Sequence, residues 1–448
     1  MTAIAARRTR RTIVGAVMAL LFFVAASVMF GVGVVTLSNS QEGEAVGVDT
    51  RARVDLPATP NAMIAVTDES GTLASLVVMT LLPEGQGGSI VTVPVNADVT
   101  AGFGAERRSV ASAFGTVDLA GFVPLVEEML SITVQHAEAV DAAGLQGLLP
   151  EVGTSQLELP TDVVDTRGGG GVIAMSGPQT FTLSEMTNIL TAIDDDAEVD
   201  ASHPNDVAVW ESLAQTAPVT VPPEAVPVDD VGRPVAPIDV AELVTRLWQG
   251  EVTVRDLLVL PVADAENPTQ VDVVLIDRRD SALVFAQVSP GLVSTPNLGL
   301  KVRIVANFTD EELDVAEGLY GSTSDVVFEL IGRLLFLSAN IVSVDTTPSG
   351  IPPVTVIEVA DERQLQATVD AVESLLGEVD ARVADTVLEG IDAEITLGMS
   401  YLEHELGRAT SVTPVTPNET VPDTSAGSSS PPEVTSSSAV PDTVAGDG

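Results

Sequence analysis

The hydrophobic positions of the chain begin with a membrane-length run. An uncharged apolar segment of about 25 residues, 13–37, follows four arginines between positions 7 and 11. As a helix it spans about 37 Å, enough to cross a hydrocarbon core of about 30 Å. A cleaved secretory signal is the alternative, but its apolar region is only about 7–15 residues long. We therefore predict an uncleaved transmembrane helix at 13–37, with residues 1–12 in the cytoplasm and all later residues outside.

Behind a small, polar stalk (38–53), apolar positions recur with strand and helix periods in turn. Residues 62–67 and 73–82 predict a hairpin about the turn Asp68–Gly71, and 89–95 a third strand. Apolar residues at three- and four-residue intervals behind Asp118 predict a helix with its N-cap. The other elements predicted before residue 200 are strands at 134–140 and 172–175 and helices at 142–149 and 183–193. This alternation is typical of an α/β domain.

The second half of the chain divides into a proline-rich crossing, a second compact unit and a tail. The crossing (217–237) has no helical or strand period. After it we predict helical packing at 240–248 and 254–260, and a hairpin of 271–277 with 283–288 about Arg278–Asp280. The second unit (298–405) has the order β-α-β-α-β, with strands at 301–306, 354–359 and 391–397 and helices at 324–338 and 362–376. The Ser/Thr/Pro-rich tail (406–448) is predicted to be disordered.

Charge and composition exclude several classes of function. The part of the chain after residue 40 holds all 64 acidic and 16 basic residues, a formal charge of −48. Such a surface repels phosphodiester backbones, so we predict no nucleic-acid binding. Cysteine is absent, which excludes disulfides and thiolate chemistry. Three histidines far apart in sequence give no support for a metal site, and we predict no cofactor.

Two polar segments have a functional and a structural interpretation. The glycines of Arg167–Gly171 could form a phosphate-binding loop, but a strand follows them where such a loop needs a helix, so a turn is favoured. The acidic residues Asp194–Asp196 could hold calcium, but they do not have the spacing of a calcium loop. A solvated helix end is favoured there.

Several segments occur in a recognisable order. A hairpin follows the anchor, 90–94 ends a strand at a proline, and 172–181 contains Gly177 and Gln179. Together with Arg108–Ala111, this order resembles the LytR-CpsA-Psr family of bacterial envelope proteins. Residues 302–307 and 396–401 resemble the opening strand and closing turn of the LytR C-terminal domain. The resemblance covers most of residues 54–405 and implies a mixed sheet flanked by helices (54–290), then the LytR C-terminal-like unit (298–405).

The resemblance also implies an activity, from which this sequence departs. In the family, the first domain transfers a glycopolymer phosphate from a polyprenyl carrier to peptidoglycan, using arginines, a divalent cation and an apolar tunnel. Here Val95 stands where the family has an arginine after the proline, and Asn96 replaces an aspartate. Asn61 stands at the family's acidic position and Val110 at its asparagine. One transition-state arginine contributes about 10³–10⁵ in rate, so we predict no catalytic and no metal-binding residues.

Arg107 and Arg108 are the basic residues near the expected phosphate loop, and they are the weak candidates for ligand binding. An exposed arginine pair is also common on ordinary surfaces.

We therefore predict a single-pass membrane protein of cell-wall assembly that binds or scaffolds without catalysis. Its expected partners are a polyprenyl-linked glycan, peptidoglycan or LytR-CpsA-Psr paralogues. An active, divalent-cation-dependent phosphotransferase and a carrier of an apolar ligand are the alternatives. The low lysine content and richness in Ala, Val and Asp are typical of a high-GC bacterium such as an actinobacterium.

Overall fold

The computed structural model describes residues 51–100, 106–167, 170–197, 201–220, 225–296, 298–316, 318–347 and 350–411. The predicted transmembrane helix at 13–37 and the tail beyond residue 411 lie outside these ranges. Among the described residues, no helix is both long and apolar enough to cross a membrane. The residues up to Leu406 cluster as one compact unit that contains both 54–290 and the second unit (298–405), and a C-terminal segment begins at Gly407.

The described strands, in chain order, are β1 (Ala52–Val54), β2 (Asn61–Thr67), β3 (Leu73–Leu81), β4 (Gly88–Val93), β5 (His136–Val140), β6 (Thr154–Leu159), β7 (Val163–Val164), β8 (Val172–Ala174), β9 (Gly177–Thr182), β10 (Val252–Asp256), β11 (Val259–Pro261), β12 (Val274–Ile276), β13 (Lys301–Val305), β14 (Asn340–Asp345), β15 (Thr355–Val359), β16 (Val379–Val383), β17 (Thr386–Leu388) and β18 (Ala393–Thr396). The described α-helices are α1 (Val110–Phe114), α2 (Leu119–Leu130), α3 (Ala142–Leu148), α4 (Leu183–Leu190), α5 (His203–Thr220), α6 (Val240–Leu247), α7 (Arg278–Val288), α8 (Asp310–Leu313), α9 (Thr323–Phe336), α10 (Glu362–Leu376) and α11 (Met399–Ser411).

The first sheet is mixed and has the strand order β10-β4-β3-β2-β5. The hairpin β2–β3 and the pair β3–β4 are antiparallel, whereas β5 and β10 add in parallel at the two edges. The turn between β2 and β3 is closed by Asp68, whose Oδ1 accepts from the backbone N of Ser70 and Thr72. The predicted hairpin, third strand and Asp118-capped helix are confirmed.

Both faces of the first sheet are buried, which explains the continuous apolar run in its central strands. On β2, Ala62, Ile64 and Val66 belong to one hydrophobic cluster, and Met63 and Ala65 to another. The first cluster includes residues of α3–α6, and the second includes residues of α1, α2 and α7. The first sheet is therefore the middle layer of a three-layer α/β arrangement.

The second sheet has the order β14-β13-β18-β15-β16; β13, β15 and β18 alternate between buried and half-buried residues, whereas β14 is buried on both faces. Alternate residues such as Val302, Ile304 and Ile357 pack in a cluster with α9, α10 and α11. The intervening residues include Arg303 and Glu394, which face each other in register and form an ion pair of 3.1 Å. This half-buried face explains the period-two pattern of β13, β15 and β18.

The structure corrects several predictions in the second half of the chain. Residues 254–260 are not helical, because β-branched Val252 and Val254 pair in parallel with β4 as β10. The predicted hairpin about Arg278–Asp280 is wrong: Asp277 accepts from the backbone N of Arg279 as an N-cap and opens α7, while β12 pairs with β11.

Other elements were not predicted or have different bounds. Helix α5 extends to Thr220, so it includes the first four residues of the predicted proline-rich crossing. Strands β14, β16 and β17 were not predicted, so the second unit is richer in strands than β-α-β-α-β. Helix α11 continues to Ser411 and replaces the first residues of the predicted disordered tail.

Candidate functional site

Two neighbouring cavities lie at the end of the first sheet where the β2–β3 turn projects. The smaller, about 330 Å³, is lined by Thr72, Val95, Ala111 and the loop after α4. The larger, about 630 Å³, is lined by the turn residues 68–70 and by α4. Arg167 lines both, which makes this pair of cavities the candidate site.

The loop after β7 positions Arg167 at the site. Thr166 donates its backbone N to Ile193 O at 3.0 Å, and its Oγ1 accepts from the backbone N of Asp195 at 3.0 Å. These bonds hold the loop after α4 against the loop after β7. The guanidinium of Arg167 is thereby placed between Asp195 and Asp68.

Arg167 is neutralised by two carboxylates. Its Nε lies 3.0 and 2.9 Å from the two carboxylate oxygens of Asp195, and its Nη1 lies 3.3 Å from Asp68 Oδ2. Nη1 also donates to Thr72 Oγ1 at 2.6 Å. These partners fill most of the guanidinium's donor positions, so an incoming anion would have to displace them.

The pKa shifts at the site agree with this pairing. The hydrogen bond from Arg167 lowers the pKa of Asp195, and the two carboxylates raise the pKa of Arg167. Burial raises the pKa of Asp68, but hydrogen bonds from Ser70, Thr72 and Arg167 outweigh burial and hold it below its usual value. Both carboxylates are therefore ionised at neutral pH.

The described lining of the two cavities is strongly acidic. It holds one arginine and six carboxylates: Asp68, Glu69, Asp165, Glu185, Asp194 and Asp195. Two like charges about 4 Å apart near a protein surface repel by about 4 kcal/mol. A phosphate or pyrophosphate entering this lining would meet net repulsion.

The larger cavity also has an apolar wall. Ile173 on β8, Phe181 on β9 and Ile189 on α4 contribute to it. Phe181 and Ile189 are nearly buried, whereas Ile173 is 48% exposed. The volume of this cavity is within the range of small-molecule sites, and the wall gives an apolar group a surface to contact.

The positions that depart from the family pattern lie in different surroundings. Val95 is buried and lines the smaller cavity. The adjacent Asn96 is fully buried, and neither side-chain polar atom has a hydrogen-bond partner. Asn61 lies at the opposite end of β2, where its amide donates to Thr133 O at 2.8 Å and accepts from Gln135 N at 2.9 Å. It is a structural residue that ties β2 to the segment before β5.

The sequence-predicted arginines are not part of the described cavity linings. Arg107 forms ion pairs with Asp98 and, at 3.0 Å, with Glu266, and its Nε donates to Glu266 O at 3.1 Å. Its contacts therefore tie two loops together. Arg108 donates its backbone N to Thr100 Oγ1 and makes no ion pair with the described residues.

Two further polar clusters border the site. Asp206, in the first turn of α5, is 4% exposed and accepts a hydrogen bond from Ser75. Burial raises the pKa of Asp206 well above its usual value, and the bond from Ser75 opposes the shift only in part. At the start of the same helix, His203 Nε2 lies 2.8 Å from Asp256 Oδ1 on β10.

Arg167 and Asp68 were not predicted as site residues. They are 99 positions apart, and their contact depends on how the loop after β7 returns to the first hairpin. The one sequence signal for this contact is the preference of arginine for carboxylates. With 64 acidic residues in the chain, that preference cannot identify which carboxylate pairs with Arg167. Across the described ranges, no group of three or more His, Cys, Asp or Glu residues is arranged to hold a metal ion.

Comparison with known proteins gives weak structural similarity only. No family model and no curated protein matches the chain. Similar solved structures include B. subtilis TagV (13% identity, 50% of this chain and 94% of that chain, TM-score 0.36). Two others are TagT bound to LIIa-WTA (14%, 51% and 88%, 0.34) and a LytR-Csp2A-Psr enzyme from Actinomyces oris (14%, 52% and 94%, 0.33). TM-scores this low carry no inference about family or activity.

Proposed function

We propose that this chain is a membrane-anchored, extracytoplasmic protein of cell-envelope assembly that binds a ligand without catalysing phosphoryl transfer. The proposal is supported by the LytR-CpsA-Psr-like order of its segments and by the membrane-length run at 13–37. The observation that carries the loss of catalysis is the pairing of Arg167 with Asp195 and Asp68.

The physical reason is the balance of charge at the reacting group. Phosphoryl transfer depends mainly on positioning and on neutralising the charge of the phosphate oxygens. In the described lining, the one guanidinium is already neutralised, and the remaining carboxylates add repulsion. The position after Pro94 contributes only the apolar side chain of Val95.

Transfer should be tested with the full chain in lipid nanodiscs. A polyprenyl-pyrophosphate-linked glycan, peptidoglycan and either Mg²⁺ or Mn²⁺ are supplied, and the products are measured by mass spectrometry. We expect neither transfer nor hydrolysis, and Val95→Arg should remain inactive because one cation cannot replace a cluster. Metal-dependent turnover by the unchanged protein would overturn the proposal in favour of an active phosphotransferase.

The apolar wall of the larger cavity supports one ligand class for the binding role, a lipid chain. We expect binding of a neutral polyprenol that depends on apolar contacts and responds weakly to salt, because the ligand carries no charge for the carboxylates of the lining to repel. Ile173→Asp should weaken binding because it places a charge on that wall. Met175→Asp is the matched control, since Met175 is similarly exposed (58%) and does not line the cavity. Equal loss in both variants would show that the cavity is not the binding site.

A further inference from the structure

The second unit exposes an apolar patch formed by Leu298, Phe336 and Leu337. Leu298 is fully exposed, Phe336 is 89% exposed, and Leu337 is 43% exposed. The segments are adjacent, since a Cβ added to Gly299 would lie 2.0 Å from the carbonyl oxygen of Ser338. Exposed apolar residues grouped in this way mark surfaces that contact a protein or a membrane.

Two cations border the apolar patch. Arg278 is exposed and lines a small cavity with Leu335 and Ala339, the residues that flank the Phe336–Ser338 segment. Lys301, the only lysine of the chain, begins β13 three residues after Leu298. The carboxylate of Asp392 accepts from the backbone N of Lys301 at 2.9 Å, but neither side-chain cation has an ion-pair partner among the described residues, so both can contact an external phosphate.

The apolar patch lies at the end of the second sheet where β13 and β14 begin, and Arg51, the first described residue, contacts the same end of the sheet. Arg51 donates to the carbonyl oxygen of Ala360 at the end of β15. The backbone N of Ala360 donates to Asp392 O, and the N of Asp392 donates to Lys301 O at 2.9 Å. Lys301 is in register with Asn340, the first residue of β14. One row of hydrogen bonds thus connects Arg51 to the starts of β13 and β14, beside the patch.

The dimensions place this edge within reach of a bilayer. Three strand spacings separate β15 from β14, about 14 Å in all. Fourteen residues lead from Leu37 to Arg51, and at about 3.3 Å per residue they reach at most about 46 Å. The strand β1 that follows is fixed to β17 by parallel pairing. The apolar patch can therefore reach the bilayer from the predicted point of membrane exit.

We propose that the apolar patch, with Arg278 and Lys301, contacts the outer leaflet of the membrane. Phe336 and the two leucines enter the interfacial region, and the two cations contact lipid phosphates. This inference rests on the membrane anchoring in the proposed function. It assigns to the second unit a membrane-contacting role that does not involve the cavities of the first sheet.

The absence of cysteine from the chain allows a direct test by site-specific labelling. Phe336→Cys and Leu298→Cys are each labelled with an environment-sensitive fluorophore in the full chain. Leu319→Cys is the matched control: it is as exposed as Leu337 (43% each) and lies before the start of α9, whereas Phe336 is at the opposite end of that helix. The labelled chains are reconstituted with phosphatidylcholine vesicles, with or without phosphatidylglycerol, and with lipids carrying a doxyl quencher.

We expect a blue shift and strong quenching at 298 and 336, and neither at 319. Arg278→Glu should reduce the quenching at 336 when phosphatidylglycerol is present and should have little effect without it. No quenching at 336, or equal quenching at 319, would overturn the inference and would favour a protein partner for the apolar patch. Alkaline extraction of the same samples reports the anchor separately, so a failure of anchoring is distinguished from a failure of patch contact.

Discussion

The buried carboxyl of Asp206 gives a quantitative prediction about stability. Asp206 is 4% exposed, and Ser75 is its hydrogen-bond donor. Burial raises the pKa of this carboxyl well above its ordinary value, so the folded chain keeps the proton over a pH range in which the unfolded chain has lost it. The stability that this group contributes is full below the unfolded pKa and is lost as pH rises through the folded pKa.

The size of the effect follows from proton linkage. Over the range between the unfolded and folded pKa values, one extra bound proton lowers the free energy of unfolding by about 1.4 kcal/mol per pH unit as pH rises. Asp206→Asn mimics the protonated carboxyl and can keep the hydrogen bond to Ser75. We therefore expect the variant to be more stable than the parent at pH 7 and equally stable near pH 4.

Urea unfolding of residues 51–411, followed by circular dichroism between pH 4 and 8, measures this difference. Asp230→Asn is the control, because Asp230 is exposed and makes no hydrogen bond to the described residues. The control should match the parent at every pH. If Asp206→Asn is less stable at pH 7, or if its difference from the parent does not grow with pH, the buried carboxyl is ionised and paired, and the reasoning is refuted.

Three other predictions use the same fragment. Gly88→Ala should lower the free energy of unfolding by more than about 1 kcal/mol, because Gly88 has φ +150° and an added Cβ would lie 1.9 Å from a carbonyl oxygen of β3. Gly147→Ala in α3 should instead raise it by about 0.5–1 kcal/mol, and equal urea midpoints for the two variants would contradict this. Asn96→Leu should be nearly neutral since its amide has no partner, whereas Asn61→Leu should cost about 1–3 kcal/mol by unpairing two backbone groups. Burial and then nearby carboxylate charge raise the pKa of Tyr320 to about 12, so an ultraviolet titration should show a late-ionising phenol that Tyr320→Phe removes.

The elements with strong local signals were predictable. The Asp68–Gly71 turn, the helix behind Asp118 and the 15-residue helix of the second unit have capping residues and clear periods. The hairpin about Arg278 was mispredicted because a short apolar run such as 283–288 has no distinct period. The N-cap at Asp277 and the burial of residues such as Leu283 and Phe285 stabilise a helix in this segment.

The candidate site was less predictable than the fold, because its residues are far apart in the sequence. Motif reasoning directed attention to Arg107 and Arg108, next to the strand that ends at Pro94. The structure shows Arg107 bonded to Asp98 and Glu266, whereas Arg167 occupies the cavities. Contacts across such separations are set by packing of whole elements, so no local pattern encodes them.

The excess of carboxylates links the two proposals. Outside the N-terminal arginines the chain has 16 basic and 64 acidic residues, so an arginine near any cavity is expected to find a carboxylate. Arg167 finds two, and a site of that charge favours an apolar over an anionic ligand. By the same reasoning, a cation without an acidic partner is informative. Among the described residues, Arg278 and Lys301 are such cations. Arg278 lines a cavity with Leu335 and Ala339, and Lys301 lies three residues after the exposed Leu298, so an external phosphate would supply the missing negative charge. Taken together, the two proposals assign lipid phosphates to the second unit and apolar chains to the first.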